Sequence, residues 1–171
     1  GSYQVDMNPT RDVPVFLAIT QSLGLNANQM AVSKKAWYGW GGAMGPAQFI
    51  PSTWAIYAGY VKPDFHYDSS KDRVGRLTGD TPPNPWVPKD ALMASALYLT
   101  DSGADQQTPA AEFKAAMCYL AGCGNVSDKS LQFYGNDVLC NELKYQKDID
   151  TITGSHDAAA MEANTNYYGQ C

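Results

Sequence analysis

Residues 39–54, GWGGAMGPAQFIPSTW, combine four glycines, two prolines and two tryptophans with a single glutamine and contain no titratable side chain. Aromatic rings can pack against the apolar face of a sugar, and an amide both donates and accepts hydrogen bonds. Glycines allow a positive φ and let a backbone come close to a ligand. The segment therefore predicts the wall of a sugar-binding cleft, with the reactive group supplied by another part of the chain.

Further aromatic residues flank these glycines. Trp54 and Tyr57 fall on a predicted helix, where we expect their rings to belong to the core. Trp37, Tyr38 and Trp40 lie in the glycine-rich loop. For these three rings, a place in the core and an exposed place at the cleft both stay open.

Most other kinds of chemistry find no support in the sequence. Neither His66 nor His156 has a serine or cysteine nearby in the setting of a nucleophile, so both are expected to be solvated or capping residues. No lysine follows GGAMG, as it would in a phosphate-binding loop. The net charge of −5 argues against a nucleic-acid partner. No apolar run approaches the roughly 18 residues that would span a membrane, and no metal or organic cofactor is implied.

The four cysteines, at 118, 123, 140 and 171, allow three pairings. Cys118 and Cys123 flank YLAG, a helix end followed by a turn that can bring them together, and a Cys140–Cys171 bridge would then tie the C-terminal tail to the body. A zinc site is disfavoured by the spacing and by the absence of an adjacent histidine, while four buried free thiols stay an alternative. Two disulfides are favoured, and with them an extracytoplasmic location: periplasmic, cell-wall or secreted.

The elements that must position these residues are helices joined by long loops. Asp12 and Thr108 are placed as N-caps. Prolines and the lack of alternation indicate a surface excursion at 61–89, with a small hairpin only near DRVGRLTG. Helical spacing and end signals predict five helices: 12–23, the stretch from Pro51, 88–103, 108–122 and 136–152. A further short, alanine-rich helix is expected near the C-terminus. We expect a single mainly α domain, residues 1–171.

Two long stretches resemble one enzyme family. YGWGGAMGPAQFIPSTW is similar to the signature of the lytic transglycosylases, in the branch of membrane-bound lytic transglycosylase B, and NPWVPKDALMASALYLTDSGA resembles the stretch that follows it in the family. AAMCYLAG resembles the tyrosine-bearing helix end of goose-type and soluble relatives. The resemblance covers roughly residues 8–150. It implies a lysozyme-like helical fold with long irregular loops. It also implies cleavage of the peptidoglycan bond between N-acetylmuramic acid and N-acetylglucosamine, with a 1,6-anhydro product.

The family uses one glutamate as both acid and base, on a helix that precedes the one placed at 12–23, and this chain is expected to begin after that helix. The tail AAAMEANTNYYGQC resembles the catalytic helix. We therefore expect a circularly permuted domain in which residues 151–171 supply the catalytic segment and Glu162 is the acid, kept protonated by a largely apolar pocket. The alternative is that Glu162 is a solvated charge and the chain binds glycan without cleaving it. Glu112 and Glu142 are weaker candidates for the acid.

The resemblance also implies roles for residues around the acid. Gln48 would hold an acetamide or hydroxyl group, and Tyr119 would support the glutamate or the developing charge. The other substrate contacts would be apolar walls, glycines that let the backbone approach the sugars, and one more aromatic ring: Met44, Phe49, Gly42, Gly45 and Tyr38. The partner would be the glycan strands of peptidoglycan, bound by a monomer. A muramidase or chitinase-like hydrolase on the same fold is the rival enzyme.

Overall fold

The computed structural model describes residues 1–37 and 39–154, and it shows a mainly helical protein. The helices are α1 (Tyr3–Asp6), α2 (Val13–Ser22), α3 (Pro51–Tyr57), α4 (Arg73–Thr78), α5 (Pro88–Asp101), α6 (Pro109–Ala121) and α7 (Gln132–Thr153). Strand β1 (Ala58–Val61) pairs antiparallel with β2 (His66–Asp72). Short 3-10 helices lie in the loops at Ala27–Gln29, Ala104–Gln106, Cys123–Asn125 and Lys129–Leu131. The prediction of a mainly α protein is confirmed, and the lysozyme-like assignment stays a prediction.

The chain divides into two compact units, one spanning Gly1–Leu97 and one that begins at Tyr98. In the first unit α2 packs on α3 and on the sheet, and α6 packs along α7 in the second. Gly135 of α7 lets the ring of Phe113 lie against it, since a Cβ at that glycine would come within 2.6 Å of the ring. The core of the first unit contains large buried side chains: Phe16, Ile19, Met44, Trp54 and Val74. That residues 1–171 form one domain stays a prediction.

Four helices begin and end close to where the sequence places them. α2, α5 and α6 each differ from the prediction by one or two residues, and α7 begins four residues earlier than predicted. The hydroxyl oxygen of Thr108 accepts from the N–H of Ala111 at 3.3 Å, so this predicted N-cap is confirmed. Gly24, with a φ of +66°, follows the end of α2 as expected for a helix stop.

The stretch after α3 differs from the predicted irregular excursion. Helix α3 ends at Tyr57, and residues 58–72 contain the β1–β2 hairpin, while α4 occupies the segment where only a small hairpin was expected. The strands escaped prediction because β2 is polar and largely exposed, so its sequence carries no alternation. Asp72 connects the two elements: its carboxylate accepts from the N–H of Gly75 and from the hydroxyl of Tyr67, both at 2.7 Å.

Asp12 does not have the role predicted for it. Its side chain is fully buried, and its carboxylate accepts from the N–H of Ser52 at 3.1 Å and from the guanidinium of Arg11 at 2.8 Å. The first N–H groups of a helix have no partner within that helix. Asp12 therefore caps α3 across 40 residues of sequence, and the prediction that it caps α2 is wrong because the tertiary contact takes its carboxylate.

A disulfide joins Cys118 and Cys123 at the end of α6, as the sequence predicts. Gly122, with a φ of +81°, turns the chain between them. Cys140 is not a free thiol, and its predicted partner, Cys171, lies outside the described residues. Within residues 1–37 and 39–154, no helix is both long and apolar enough to cross a membrane.

Candidate functional site

A tight turn at residues 45–48 lies at the centre of the glycine-rich segment. The N–H of Met44 donates to the carbonyl oxygen of Phe49 at 2.8 Å, and the N–H of Gln48 donates to that of Gly45 at 3.2 Å. Pro46 follows Gly45, at the second position of the turn, where its fixed φ is favourable. These bonds close the turn and hold Gln48 at the surface.

Gln48 has an unusual backbone conformation for a residue with a side chain. Its φ is +56°, in the left-handed region, and its Nε2 donates to the carbonyl oxygen of Gly45 at 2.7 Å. This conformation costs roughly 1–2 kcal/mol for a residue with a Cβ, and residues held in it are concentrated at functional sites. The side-chain amide has a second N–H and an oxygen, so the exposed group can also engage a ligand.

The glycines of this segment let distant parts of the protein come together. A Cβ on Gly45 would lie 1.8 Å from the carbonyl oxygen of Pro85, and one on Gly42 would lie 2.7 Å from Cγ of Met7. Both glycines also have a positive φ, +60° and +91°. In the structure, these glycines therefore allow the segment to pack closely against other parts of the same chain. That they also let the backbone approach sugars stays a prediction.

The turn lies between two buried apolar residues, Met44 and Phe49. Met44 is fully buried and Phe49 is 4% exposed. The ring of Phe49 packs edge-on against that of Trp54, with 5.8 Å between the ring centroids. Trp54 and Tyr57 are themselves buried, as expected for core residues. Because Met44 and Phe49 belong to this core, they hold the turn in place; a cleft wall formed by their side chains stays a prediction.

The loop before the turn carries exposed aromatic rings. Trp37 is 96% exposed and Trp40 is 44% exposed. The ammonium group of Lys35 lies 3.8 Å from the centroid of the Trp40 ring, so it covers one face of that ring. Tyr38, a predicted substrate contact, lies outside the described residues. Sequence reasoning did not single out Lys35, although two lysines immediately precede AWYGW.

Tyr119 lies near the end of α6, in the second unit. Its half-buried ring meets that of Tyr98 edge-on, with 5.2 Å between the centroids. The hydroxyl of Tyr98 donates to the carbonyl oxygen of Cys118 at 2.8 Å, and burial raises the pKa of that hydroxyl above its usual value. The disulfide and this hydrogen bond fix the helix end that carries Tyr119. Gln48 belongs to the first unit, so a site shared by Gln48 and Tyr119 stays a prediction.

The predicted catalytic acid, Glu162, lies outside the described residues. The two glutamates that the structure describes are Glu112, in the first turn of α6, and Glu142 on α7. Burial raises the pKa of Glu112 above its usual value, which is the direction that a general acid requires. Glu142 is exposed. Glu112 is therefore the described glutamate to compare with Glu162 in an activity experiment.

The buried aspartates of the first unit serve the fold. Asp12 caps α3 and Asp72 joins β2 to α4, as described above. Asp90, also buried, accepts from the N–H of Asn84 at 2.8 Å and so fastens the loop before α5. In the described part of the chain, no group of three or more histidine, cysteine, aspartate or glutamate side chains could hold a metal ion.

Comparisons with known proteins found no matching family model, no matching curated protein and no matching solved structure. The resemblance to lytic transglycosylases therefore rests on the sequence motifs alone. To those motifs the structure adds a turn closed by backbone hydrogen bonds, an exposed glutamine in a left-handed conformation and exposed aromatic rings in and just before the glycine-rich segment. The chemistry assigned to these groups is a proposal.

Proposed function

We propose that this protein binds the glycan strands of peptidoglycan and cleaves them as a lytic transglycosylase. The observation that carries the proposal is the conformation of Gln48, an exposed amide in the left-handed region on a turn closed by two backbone hydrogen bonds. A fold that retains such a conformation at its surface pays a conformational cost that a glycine would avoid. Sugar recognition by the amide supplies a reason for keeping glutamine there.

The chemistry of the proposal needs one carboxylic acid and no water. Protonated Glu162 gives its proton to the glycosidic oxygen, and the bond from the anomeric carbon to that oxygen breaks. The C6 hydroxyl of the same muramic residue attacks the anomeric carbon and returns its proton to the carboxylate. The product is a 1,6-anhydro sugar. A hydrolase would instead use water, commonly activated by a second carboxylate.

The proposed place of action is outside the cytoplasm. The Cys118–Cys123 disulfide supports it, because disulfides persist in oxidising compartments and are rare in the cytosol. The proposed substrate is found in the same compartment. Reduction of the protein should therefore not be needed for activity, and thiol counting without reductant should find Cys118 and Cys123 unreactive.

The catalytic part of the proposal is tested by digesting purified cell wall with the wild type, Glu162→Gln, Glu112→Gln and Glu142→Gln and reading the products by mass spectrometry. We expect anhydro products, lighter by one water than hydrolysis products, from the wild type and from the last two variants, and none from Glu162→Gln. Full activity of Glu162→Gln would remove that residue from the mechanism. Products with reducing ends would identify a hydrolase, and binding without any product would identify a glycan-binding module.

The binding part is tested by Gln48→Gly, with Gln107→Gly as its matched control. Gln107 is exposed and has a φ of +51°, so both substitutions relieve the same backbone conformation. The relief of the left-handed conformation is partly offset by the greater unfolded-state entropy of glycine, so each should stabilise the protein by less than about 1 kcal/mol. We expect only Gln48→Gly to weaken the binding of glycan strands, by about tenfold for the loss of one or two hydrogen bonds. Equal binding by both variants would contradict the role of Gln48.

A further inference from the structure

A hairpin-like extension precedes the Gln48 turn, and we call its described residues, 33–37 and 39–43, the aromatic arm. At its base the N–H of Ser33 donates to the carbonyl oxygen of Ala43, and the N–H of Gly42 donates to that of Ser33, both at 2.9 Å. Near its tip Ala36 and Gly39 exchange two backbone hydrogen bonds, of 3.1 and 3.3 Å. Trp37 follows Ala36 at this tip.

The arm is attached firmly to the rest of the first unit. The backbone of Asp6 accepts from the N–H of Gly41 at 2.9 Å, and its carboxylate accepts from the N–H of Lys35 at 2.8 Å. At the base, an antiparallel bridge between Val32 and Met44 leads directly to the Met44–Phe49 bridge that closes the Gln48 turn. The arm and the turn are therefore successive parts of one hydrogen-bonded ribbon.

The arm combines aromatic rings with positive charge. Trp37 is 96% exposed and Trp40 is 44% exposed, while the side chains of Lys34 and Lys35 are exposed beside them. The two lysines give the arm a local positive charge, although the chain as a whole has a net charge of −5. Asp6 brings a negative charge to the arm, and its pKa is lowered by the hydrogen bond from the Lys35 N–H and by the bond from the N–H of Ser2.

We propose that the aromatic arm is a second glycan subsite, which binds carboxylate-bearing sugars of a peptidoglycan strand while the Gln48 turn binds another part of the same strand. This inference rests on the proposed function. The exposed indole of Trp37 supplies a flat apolar surface for a sugar ring. Lys34 and Lys35 attract the carboxylates of the lactyl groups or peptide stems. The arm thereby selects long anionic strands over short or uncharged ones.

The experiment measures fluorescence anisotropy of end-labelled peptidoglycan strands, of a labelled disaccharide unit and of a neutral chitin oligomer as long as the strands. All proteins carry Glu162→Gln, so that the strands are bound and not cleaved, and they are otherwise the wild type, Trp37→Ala, Trp37→Phe and Leu92→Ala. Leu92 is the control because it is a large apolar residue, 64% exposed, on α5. Thermal melting of each variant checks the fold, which an exposed residue should leave intact.

We expect Trp37→Ala to weaken strand binding by about tenfold, the scale of one aromatic stacking contact, and to leave disaccharide binding unchanged. Trp37→Phe should keep most of the affinity, and Leu92→Ala should behave as the wild type. A Lys34→Gln, Lys35→Gln double variant should lose the salt dependence of strand binding and bind the chitin oligomer as before. These results would support the second subsite.

Wild-type strand affinity in Trp37→Ala, with weakened binding in Gln48→Gly, would overturn the subsite and leave the proposed function in place. No strand binding by the wild type would overturn both. The binding of each protein to vesicles that contain anionic lipid is measured as a further test. If Trp37→Ala reduces binding to these vesicles while strand binding is unchanged, the arm is a membrane contact and the glycan subsite is wrong.

Discussion

The Gln48 turn and the α6–α7 pair are stabilised in different ways. Besides its own backbone hydrogen bonds, the turn depends on a partner far away in the sequence, Pro85, whose carbonyl oxygen lies against Gly45. The end of α6 depends on near neighbours, since its disulfide spans a separation of five residues and its start is capped by Thr108. The irregular segment that carries the candidate binding groups is thus supported by a residue 40 positions away, whereas the end of α6 is supported by residues close to it in the sequence.

The largest effect should come from Gly45→Ala, which tests the long-range side of this comparison. The new Cβ would lie 1.8 Å from the Pro85 carbonyl oxygen and would be held at a φ of +60°. We expect a loss of about 3 kcal/mol or more in the free energy of unfolding, measured by urea denaturation. Gly24→Ala is the control, with a φ of +66° and nothing within 4 Å. It should cost only about 1 kcal/mol, and equal losses in the two variants would contradict the packing argument.

Asp12→Ala and Thr108→Ala compare a distant cap with a local one. Loss of Asp12 leaves the N–H of Ser52, at the start of α3, without its acceptor and should cost about 3 kcal/mol. Loss of Thr108 removes an ordinary N-cap of α6 and should cost about 1 kcal/mol. Urea denaturation measures both changes. A smaller loss for Asp12→Ala than for Thr108→Ala would show that the long-range cap is not the stronger one.

Removal of the α6 disulfide by Cys118→Ala together with Cys123→Ala should have an intermediate effect. A loop this short gains about 2 kcal/mol from cross-linking by the chain-entropy estimate. Hydrogen exchange should detect faster opening at the end of α6, near Tyr119, and unchanged protection at the Gln48 turn. Loss of protection at both places would mean that the disulfide supports more than the local helix end.

The smallest effect should be the pH dependence of an exposed ion pair in the first unit. Lys89 Nζ lies 2.5 Å from Asp80 Oδ2, and its hydrogen bond lowers the pKa of Asp80 below the usual value. The pair therefore contributes stability above the unfolded-state pKa, and this contribution is lost as the pH falls below about 4. The melting temperatures of the wild type and Lys89→Gln should converge at low pH and in high salt. A constant difference across pH would contradict the pairing.

The sequence predicted the helices well because their signals are local. Pro109 and Thr108 mark the start of α6 and Gly122 its end, all within a few residues of the helix itself. The β1–β2 hairpin was not predicted because β2 is polar and largely exposed, so its sequence lacks the alternation of apolar and polar residues that indicates a strand. For the candidate site, the sequence indicated the segment around Gln48 but not the conformation of its backbone, which depends on the turn as a whole.

The sequence by itself indicated the mainly helical character and the ends of α5 and α6 to within two residues, and it favoured the Cys118–Cys123 pairing among the alternatives. Each of these follows from propensities or spacings that act over a few residues. Only the tertiary structure decided that Asp12 caps α3, that Gly45 lies against Pro85 and that Met44 is buried while Gln48 is exposed. These outcomes depend on contacts between residues as many as 40 positions apart, because burial and hydrogen-bond partners are set when distant segments pack together.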